Sequence, residues 1–526
     1  MKNRERSCEL VILQTSDIHG NLMPISYGNN QEVEYGLAKL ALPLKEEMKQ
    51  ADNSFLIDNG DLIQGTPLTY HHARHQPNEQ NPMVKILNYL KYDAAVIGNH
   101  EFNYGQDLLE KAVSESNFPW LSANILESGT NQPAFGRPFM IKEFDNGLRV
   151  ALLGLTTHYI PNWENPNHIK GLEFPDAYST AKEWVKYLQQ NEQFDLLIVS
   201  YHGGIECEPE TGEPAETLTG ENQGYRICTE IEGIDVLLTG HQHRKLVCEL
   251  NGVTVVQPGF NAQSFGKIQV SFEFSYGKWQ VKDKSAAIIE VNEAKAEQAI
   301  LELAKSYEIQ SQKWLDQPIG TIVGDMSVRS AFDIRMEDNP LIEFINKVQM
   351  DAAGADISAT ALFHNESPGF PAEVTMRDIV SNYIYPNTLK VIRITGADLK
   401  AALEKSALYF DVKDGELIVN PSFEKPKPQH YNYDMWEGIQ YTLDISRPAG
   451  ERVTELNYKD EPVKSDASYD VVMNNYRAGG GGNYPMFKGK PVLREIQRDM
   501  TEILADYFKK HGIIHATCNH NWRVIH

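Results

Sequence analysis

The stretch Leu10-Val11-Ile12-Leu13-Gln14-Thr15-Ser16-Asp17-Ile18-His19-Gly20 joins a short apolar run to a cluster of Asp, His and Gly. The same grammar returns through the first half of the chain. The run 55–57 leads to Gly60-Asp61, 94–97 to Gly98-Asn99-His100-Glu101, 196–199 to Tyr201-His202-Gly203, and 236–238 to Gly240-His241-Gln242-His243. A sixth run, 150–155, leads to Thr156-Thr157-His158 and breaks the pattern. Segments 107–115 and 180–190 between the runs have helical apolar spacing. Strand and helix signals in alternation predict a layered α/β domain. Ligand crevices of such sheets lie beyond the carboxyl ends of the strands, so the polar clusters are expected to meet. Asp17 with His19, and His241 with His243, read as alternating residues of an extended chain whose side chains point the same way.

Imidazole, carboxylate and amide oxygen together suit first-row divalent ions, and the absence of thiolate from this set argues against a structural zinc site there. Glycines beside each cluster permit sharp turns and close approach. The five blocks, D-x-H, G-D, G-N-H-[DE], H and G-H-x-H in that order, resemble the signature of the calcineurin-like metallophosphoesterases. The resemblance implies a four-layer α/β/β/α catalytic domain. It implies one cation held by Asp17, His19, Asp61 and His243, and a second by Asp61, Asn99, His202 and His241, with Asp61 bridging. Two such ions (Mn, Zn, Fe, Co or Mg) sit about 3.5–4 Å apart and share a hydroxide that attacks phosphorus in line. His100 takes the place of the family's non-ligand histidine, which stabilises the transition state or protonates the leaving oxygen. Many nucleotidase relatives orient that histidine with an Asp three residues later; here the residue is Asn103, which holds the ring without adding charge.

Residues 294–315 are rich in Ala, Leu, Glu and Lys and read as a helix, and Pro318-Ile319-Gly320 breaks it. This divides the chain into a catalytic domain over 1–293, a linker helix over 294–316 and a substrate-binding domain over 317–526. In the second half, 340–352 and 396–406 read as helices, and 389–394, 439–445 and 469–473 as strands; 425–429 reads as a proline-marked loop. Tyr431-Asn432-Tyr433-Asp434-Met435-Trp436-Glu437-Gly438 and Asn474-Asn475-Tyr476-Arg477-Ala478-Gly479-Gly480 resemble the α+β C-terminal domain of the 5′-nucleotidase family. They are most similar to its 2′,3′-cyclic-nucleotide 2′-phosphodiesterase/3′-nucleotidase branch, as are Gly98–Gly105 and Ile384-Tyr385-Pro386-Asn387-Thr388. The family sandwiches a base between two aromatic rings; by position these are Tyr433 and Tyr476, with Tyr431 as the alternative to Tyr433. Asn99 and Arg335 complete the expected substrate contacts, with Arg329 a further source of charge. The phosphate-gripping Arg of other 5′-nucleotidases has no counterpart in Phe363-His364-Asn365-Glu366-Ser367-Pro368-Gly369.

At 526 residues the chain is long enough for roughly 2–4 domains. A net charge of −23 argues against a duplex nucleic-acid partner but not against a small phosphorylated one, because bound cations reverse the local field. Five cysteines without a C-x-x-C pair, no span of ~18 apolar residues, and a first apolar run too short for a secretory signal read as a cytoplasmic protein, expected as a monomer, with no membrane partner. A chain already relieved of an export signal reads the same way. His71, His72 and His75 read as a solvated loop, His158 as a neighbour of the site rather than a ligand, and His515, Cys518, His520 and His526 as packing or terminal disorder. The expected activity is opening of 2′,3′-cyclic nucleotides and removal of the resulting 3′-phosphate. A 5′-nucleotidase or UDP-sugar hydrolase is the alternative, and a non-catalytic nucleotide-binding protein is disfavoured by the intact ligand set.

Overall fold

The computed structural model describes residues 6–526 except Thr217, Pro386, Pro426 and Gln497. The proline of the 384–388 stretch and one proline of the 425–429 loop therefore lie outside the described residues. The chain forms two compact units: Met1–Pro161 with Pro166–Ser311, and Asn162–Asn165 with Gln312–His526.

Six strands carry the clusters of the first unit: β1 Arg6–Thr15, β2 Ser54–Asp58, β3 Ala94–Val96, β4 Arg149–Thr156, β5 Leu196–His202 and β6 Val236–Thr239. β1, β2 and β3 are parallel neighbours in one six-stranded sheet, and β4, β5 and β6 in another. Antiparallel strands finish both sheets, Ser264–Ser275 and Lys278–Glu290 on the first and Phe139–Glu143 on the second.

The near-continuous apolar runs follow from burial on both faces of each strand. Leu10 and Ile12 of β1 enter a core shared with Val150 and Leu152 of β4 and Leu196 and Ile198 of β5, while Val11 and Leu13 face helices on the other side. In the second sheet Ala151, Leu153, Leu197 and Val199 likewise turn to an outer helical layer that includes Ala181 and Val185. The unit is thus four layers, helix, sheet, sheet and helix. Each fully buried aliphatic side chain contributes about 1.5–3 kcal/mol to holding the sheets in register.

A helix forms over Gln298–Leu315 within the stretch read as a linker. As far as Ser311 it belongs to the first unit, because Ile300 and Ala304 lie in the core beneath the first sheet and the Tyr307 hydroxyl donates to the Gln80 carbonyl at 3.0 Å. The contact boundary falls inside the helix, between Ser311 and Gln312. His71, His72 and His75 are also not a loop: they belong to the helix Pro67–His75, started by a Thr66 capping box, and His71 and His72 are buried.

The second unit has a five-stranded sheet in the order Asp434–Glu437, Ile357–Ala361, Ser468–Asn474, Leu389–Thr395, Val492–Ile496. Helix Pro340–Ala353 packs on it. Asn339 caps its N-terminus by accepting from Ile342 N, Pro340 occupies the first turn, and Gly354 ends it in the left-handed region. The tail is ordered rather than disordered: Ile513–His515 pairs with Pro318–Val323, and Trp522–Ile525 with Gln440–Asp444. Arg477 and Asp434, both nearly enclosed, approach to 2.7 Å. Removing one partner leaves the other charge buried alone. Asp434→Ala is expected to destabilise the second unit by about 3–5 kcal/mol, read as a lower urea midpoint for that unit's transition.

Candidate metal centre

β1 stops at Thr15, and the chain then runs beside the segment that follows β2. Asp17 N donates to Gly60 O at 2.9 Å, His19 N to Asp61 O at 2.8 Å, and Gly20 N to Leu62 O at 2.9 Å. The expected extended geometry is absent here. Asp17, His19, Asp61, His241 and His243 have φ of 52°, 49°, 56°, 68° and 58°. Each is therefore a left-handed residue that is not glycine. The side chains converge because tight turns at adjacent strand ends aim them inward, not because alternate residues of a strand share a face.

Two donor groups result. In one, His19 Nε2 lies 3.0 Å from His243 Nε2 and 4.0 Å from Asp17 Oδ1, and His243 Nε2 lies 3.5 Å from Asp17 Oδ1. In the other, Asn99 Oδ1 is 3.1 Å from His202 Nε2 and 2.9 Å from His241 Nδ1. Asp61 Oδ2 reaches both, at 3.1 Å from His202 Nε2 and 3.8 Å from His19 Nε2. All seven residues read as ligands from the sequence stand in these two groups. Asn99, also read as a substrate contact, is part of the second.

This donor set fits divalent cations. Nitrogen lone pairs and carboxylate oxygens point at common centres, with no thiol among them. The ring orientations agree. His202 Nδ1 faces the Asn59 carbonyl at 2.7 Å. That contact directs Nε2 to the centre. Burial opposes a charge on His202, but the adjacent Asp61 carboxylate outweighs it and pushes the imidazole up to about 10. Burial likewise opposes charge on Asp61, yet His202, His100 and His19 hold it well below the usual carboxylate range.

His100 sits beside this centre with its backbone N–H donating to Asp61 Oδ1 at 2.8 Å. Its Nδ1 meets Asn103 Oδ1 at 2.7 Å. The amide thus fixes the ring and leaves Nε2 as the atom for a leaving oxygen. His158 is in neither donor group; its Nδ1 lies 3.8 Å from Asp176, and the preceding Thr157 N donates to the His202 carbonyl at 2.8 Å.

Two supporting residues, Glu101 and Glu221, were given no role by the sequence reading. Glu101, fully buried, accepts from Asp61 N at 2.9 Å, Leu62 N at 2.6 Å and Gly98 N at 2.7 Å, locking the turn after β2 to that after β3. Gly98 is required there, because a Cβ would stand 2.4 Å from Asp61 Oδ1. Glu221 Oε1 lies 2.8 Å from His241 Nε2, on the side of the ring away from Asn99. It is a carboxylate behind a ligating histidine. The G-N-H-E block contains Glu101, whereas Glu221 follows an acidic stretch in which nothing sets it apart.

In the second unit the expected substrate contacts separate. Tyr433 is not a stacking surface: it is fully buried among Tyr409 and Phe410, and its hydroxyl donates to the Arg335 carbonyl at 2.8 Å. Arg335 is not a free charge either. It is fully enclosed, and its guanidinium donates at 2.9 Å to Ala331 O, Asn365 Oδ1 and Leu362 O. Arg329 is exposed and paired with Asp325 at 2.9 Å. Tyr431 and Tyr476 are each partly exposed. Arg477 ties their segments together, donating to Tyr431 O at 2.9 Å and to Gly481 O.

Residues 10–245 match the calcineurin-like phosphoesterase family and residues 318–489 the 5′-nucleotidase C-terminal domain. A 2′,3′-cyclic-nucleotide 2′-phosphodiesterase/3′-nucleotidase of Yersinia enterocolitica is 30% identical over 98% of this chain and 88% of its own length. The chain belongs to the calcineurin-like phosphoesterases that carry a 5′-nucleotidase C-terminal domain. Among family members of known structure, a Staphylococcus aureus protein described as a candidate 5′-nucleotidase superposes with a TM-score of 0.90 at 34% identity, covering 98% of this chain and 100% of that one. The trifunctional nucleotide phosphoesterase YfkN of Bacillus subtilis is 27% identical over 98% of this chain, which spans 39% of that longer relative. A calcineurin-like phosphoesterase with this donor set binds divalent metal and hydrolyses phosphoesters.

Two outcomes are expected. Glu221→Gln weakens cation binding about 10–100-fold in calorimetric titration of the metal-free protein, while saturating metal restores most activity; unchanged affinity contradicts the positioning role. Because His202 holds a proton up to about pH 10, cation binding at neutral pH displaces it, so affinity rises with pH. Calorimetry in two buffers of different ionisation enthalpy measures the proton released.

Proposed function

We propose that this phosphoesterase opens 2′,3′-cyclic nucleotides to 3′-nucleotides and then dephosphorylates them to nucleosides, with two divalent ions (Mn, Zn, Fe, Co or Mg) held at the Asp61 centre. The observation that carries the reading is the position of Asp61 Oδ2 between the two donor groups, with His100 beside it. Bound cations supply charge neutralisation at the phosphoryl group and lower the pKa of attacking water. Asp17, His19 and His243 would hold one of them and Asn99, His202 and His241 the other, with the Asp61 carboxylate serving both. In the first step the bond from phosphorus to O2′ breaks and that oxygen takes a proton. In the second the bond to O3′ breaks and inorganic phosphate leaves. His100, its Nδ1 occupied by Asn103, presents Nε2 to the departing oxygen.

The nucleoside falls to the second unit. Tyr431 and Tyr476 are partly exposed, and Arg477 bonds their segments together; the base stacks on these rings. Support for the cyclic substrate comes from the Yersinia enterocolitica relative's name and from the absence of an arginine in 363–369. A second reading, 5′-nucleotidase, is favoured by the Staphylococcus aureus structure. Among the described residues no helix is long and apolar enough to cross a membrane.

Chromatography of Mn-loaded protein with 2′,3′-cyclic AMP and, separately, 5′-AMP decides between the readings. Adenosine formed by way of 3′-AMP is expected, and turnover of 5′-AMP alone supports the second reading. Asp61→Ala is expected to abolish both. Tyr476→Ala raises KM about 5- to 150-fold, the equivalent of about 1–3 kcal/mol of stacking, whereas Tyr433→Phe leaves KM unchanged.

A further inference from the structure

Donors that play no part in the Asp61 centre gather in the second unit. Asp338 immediately precedes the Asn339 cap of helix Pro340–Ala353, and Glu343 lies in that helix's first turn. Cys518 and His520 stand on the segment between the strands Ile513–His515 and Trp522–Ile525. Cys518 Sγ is 3.2 Å from Asp338 Oδ2 and 3.4 Å from His520 Nδ1, and His520 N donates to Asp338 Oδ2 at 2.9 Å. Asp338, Glu343 and Cys518 each offer a ligand atom, all within 4.8 Å of one another. Tetrahedral zinc with bonds of about 2.3 Å to sulfur and about 2.0–2.1 Å to nitrogen or oxygen places its ligand atoms roughly 3.5 Å apart. The separations of Cys518 Sγ from Asp338 Oδ2 and from His520 Nδ1 are already close to that spacing.

Charge balance is the independent observation. Asp338, Glu343 and Glu437 are 4%, 1% and 5% exposed, and all three carboxyls act on one another. Among the described residues, Lys347 is the ammonium that pairs with this group, and it pairs with Glu343. Asn519 Nδ2 reaches Glu437 Oε1 at 2.7 Å as a neutral donor. Asp338 is left with its Oδ1 buried and without a hydrogen-bond partner, in a carboxylate whose other oxygen faces the thiol. A buried carboxylate oxygen in that state calls for a proton or a cation.

We propose that Asp338, Cys518 and His520, with Glu343, form a second divalent-cation site of zinc type that fastens the C-terminal segment to the start of helix Pro340–Ala353. Binding breaks the Cys518 S–H bond, forms a metal–sulfur bond and releases the proton to solvent. The site shares no residue with the phosphoesterase ligands and contributes order rather than chemistry.

Cobalt distinguishes the two kinds of site, because the Asp61 centre contains no sulfur. Full-length protein stripped with chelator and titrated with Co²⁺ is expected to develop a thiolate-to-cobalt charge-transfer band in the near ultraviolet whose full intensity corresponds to one thiolate-bound cobalt per chain. Cys518→Ala is expected to lose the band and one bound metal per chain while keeping phosphoesterase activity at saturating metal. His520→Ala, at an exposed position, is expected to keep the fold and weaken the band's cobalt affinity at least tenfold. A wild-type protein that fills with cobalt without the band overturns the proposal. So does a Cys518→Ala protein that retains the band, or a His520→Ala protein with unchanged affinity.

Discussion

A single carboxylate oxygen, Asp61 Oδ2, stands between two sets of nitrogen donors, and much of the first unit serves to keep it there. The carboxylate is fully buried with several imidazoles around it, so the site is stable as a place for positive charge and for little else. The doubly buried sheets deliver the ends of β1, β2, β3, β5 and β6 to one crevice. Glu101 then bonds the turn after β2 to the turn after β3, and Gly98 leaves room for the carboxylate. The four-layer packing matters to the chemistry mainly because it fixes the spacing of those strand ends to within the length of a metal–ligand bond.

The ligand order was legible because each donor sits within a few residues of an apolar run, so a local pattern carried long-range information. The runs themselves were legible because both faces of each strand are buried. The backbone geometry was not. Left-handed φ at Asp17, His19, Asp61, His241 and His243 runs against the propensity of non-glycine residues, and pattern reasoning assigns such positions to ordinary extended chain. Glu221 was invisible for a different reason: its role comes from a contact across 20 residues, and its neighbourhood holds many equivalent acids.

In the second unit the helices and strands were readable from periodicity, but the choice among tyrosines was not. Tyr431 and Tyr433 are two residues apart, and only the packing tells that Tyr433 is fully buried in the core while Tyr431 is partly exposed. Arg335 failed as a substrate contact for the same reason. A charge in a favourable stretch of sequence was read as available, whereas the guanidinium is enclosed and donates to the carbonyls of Ala331 and Leu362 and to Asn365. Arg477 then emerges as the residue that organises the loops, since it is held by Asp434 below and bonds the Tyr431 and Gly481 carbonyls above.

The left-handed ligands have a consequence for how this protein can change. Each such position costs of order 1–3 kcal/mol of backbone strain. Glycine would relieve that cost at Asp17, His19, Asp61, His241 or His243, but it carries no donor. The residues that most invite stabilising replacement are therefore the ones the chemistry needs. Selection for heat resistance alone would drift toward a sturdier chain with an inert crevice, and only selection that also demands turnover keeps the strained turns in place.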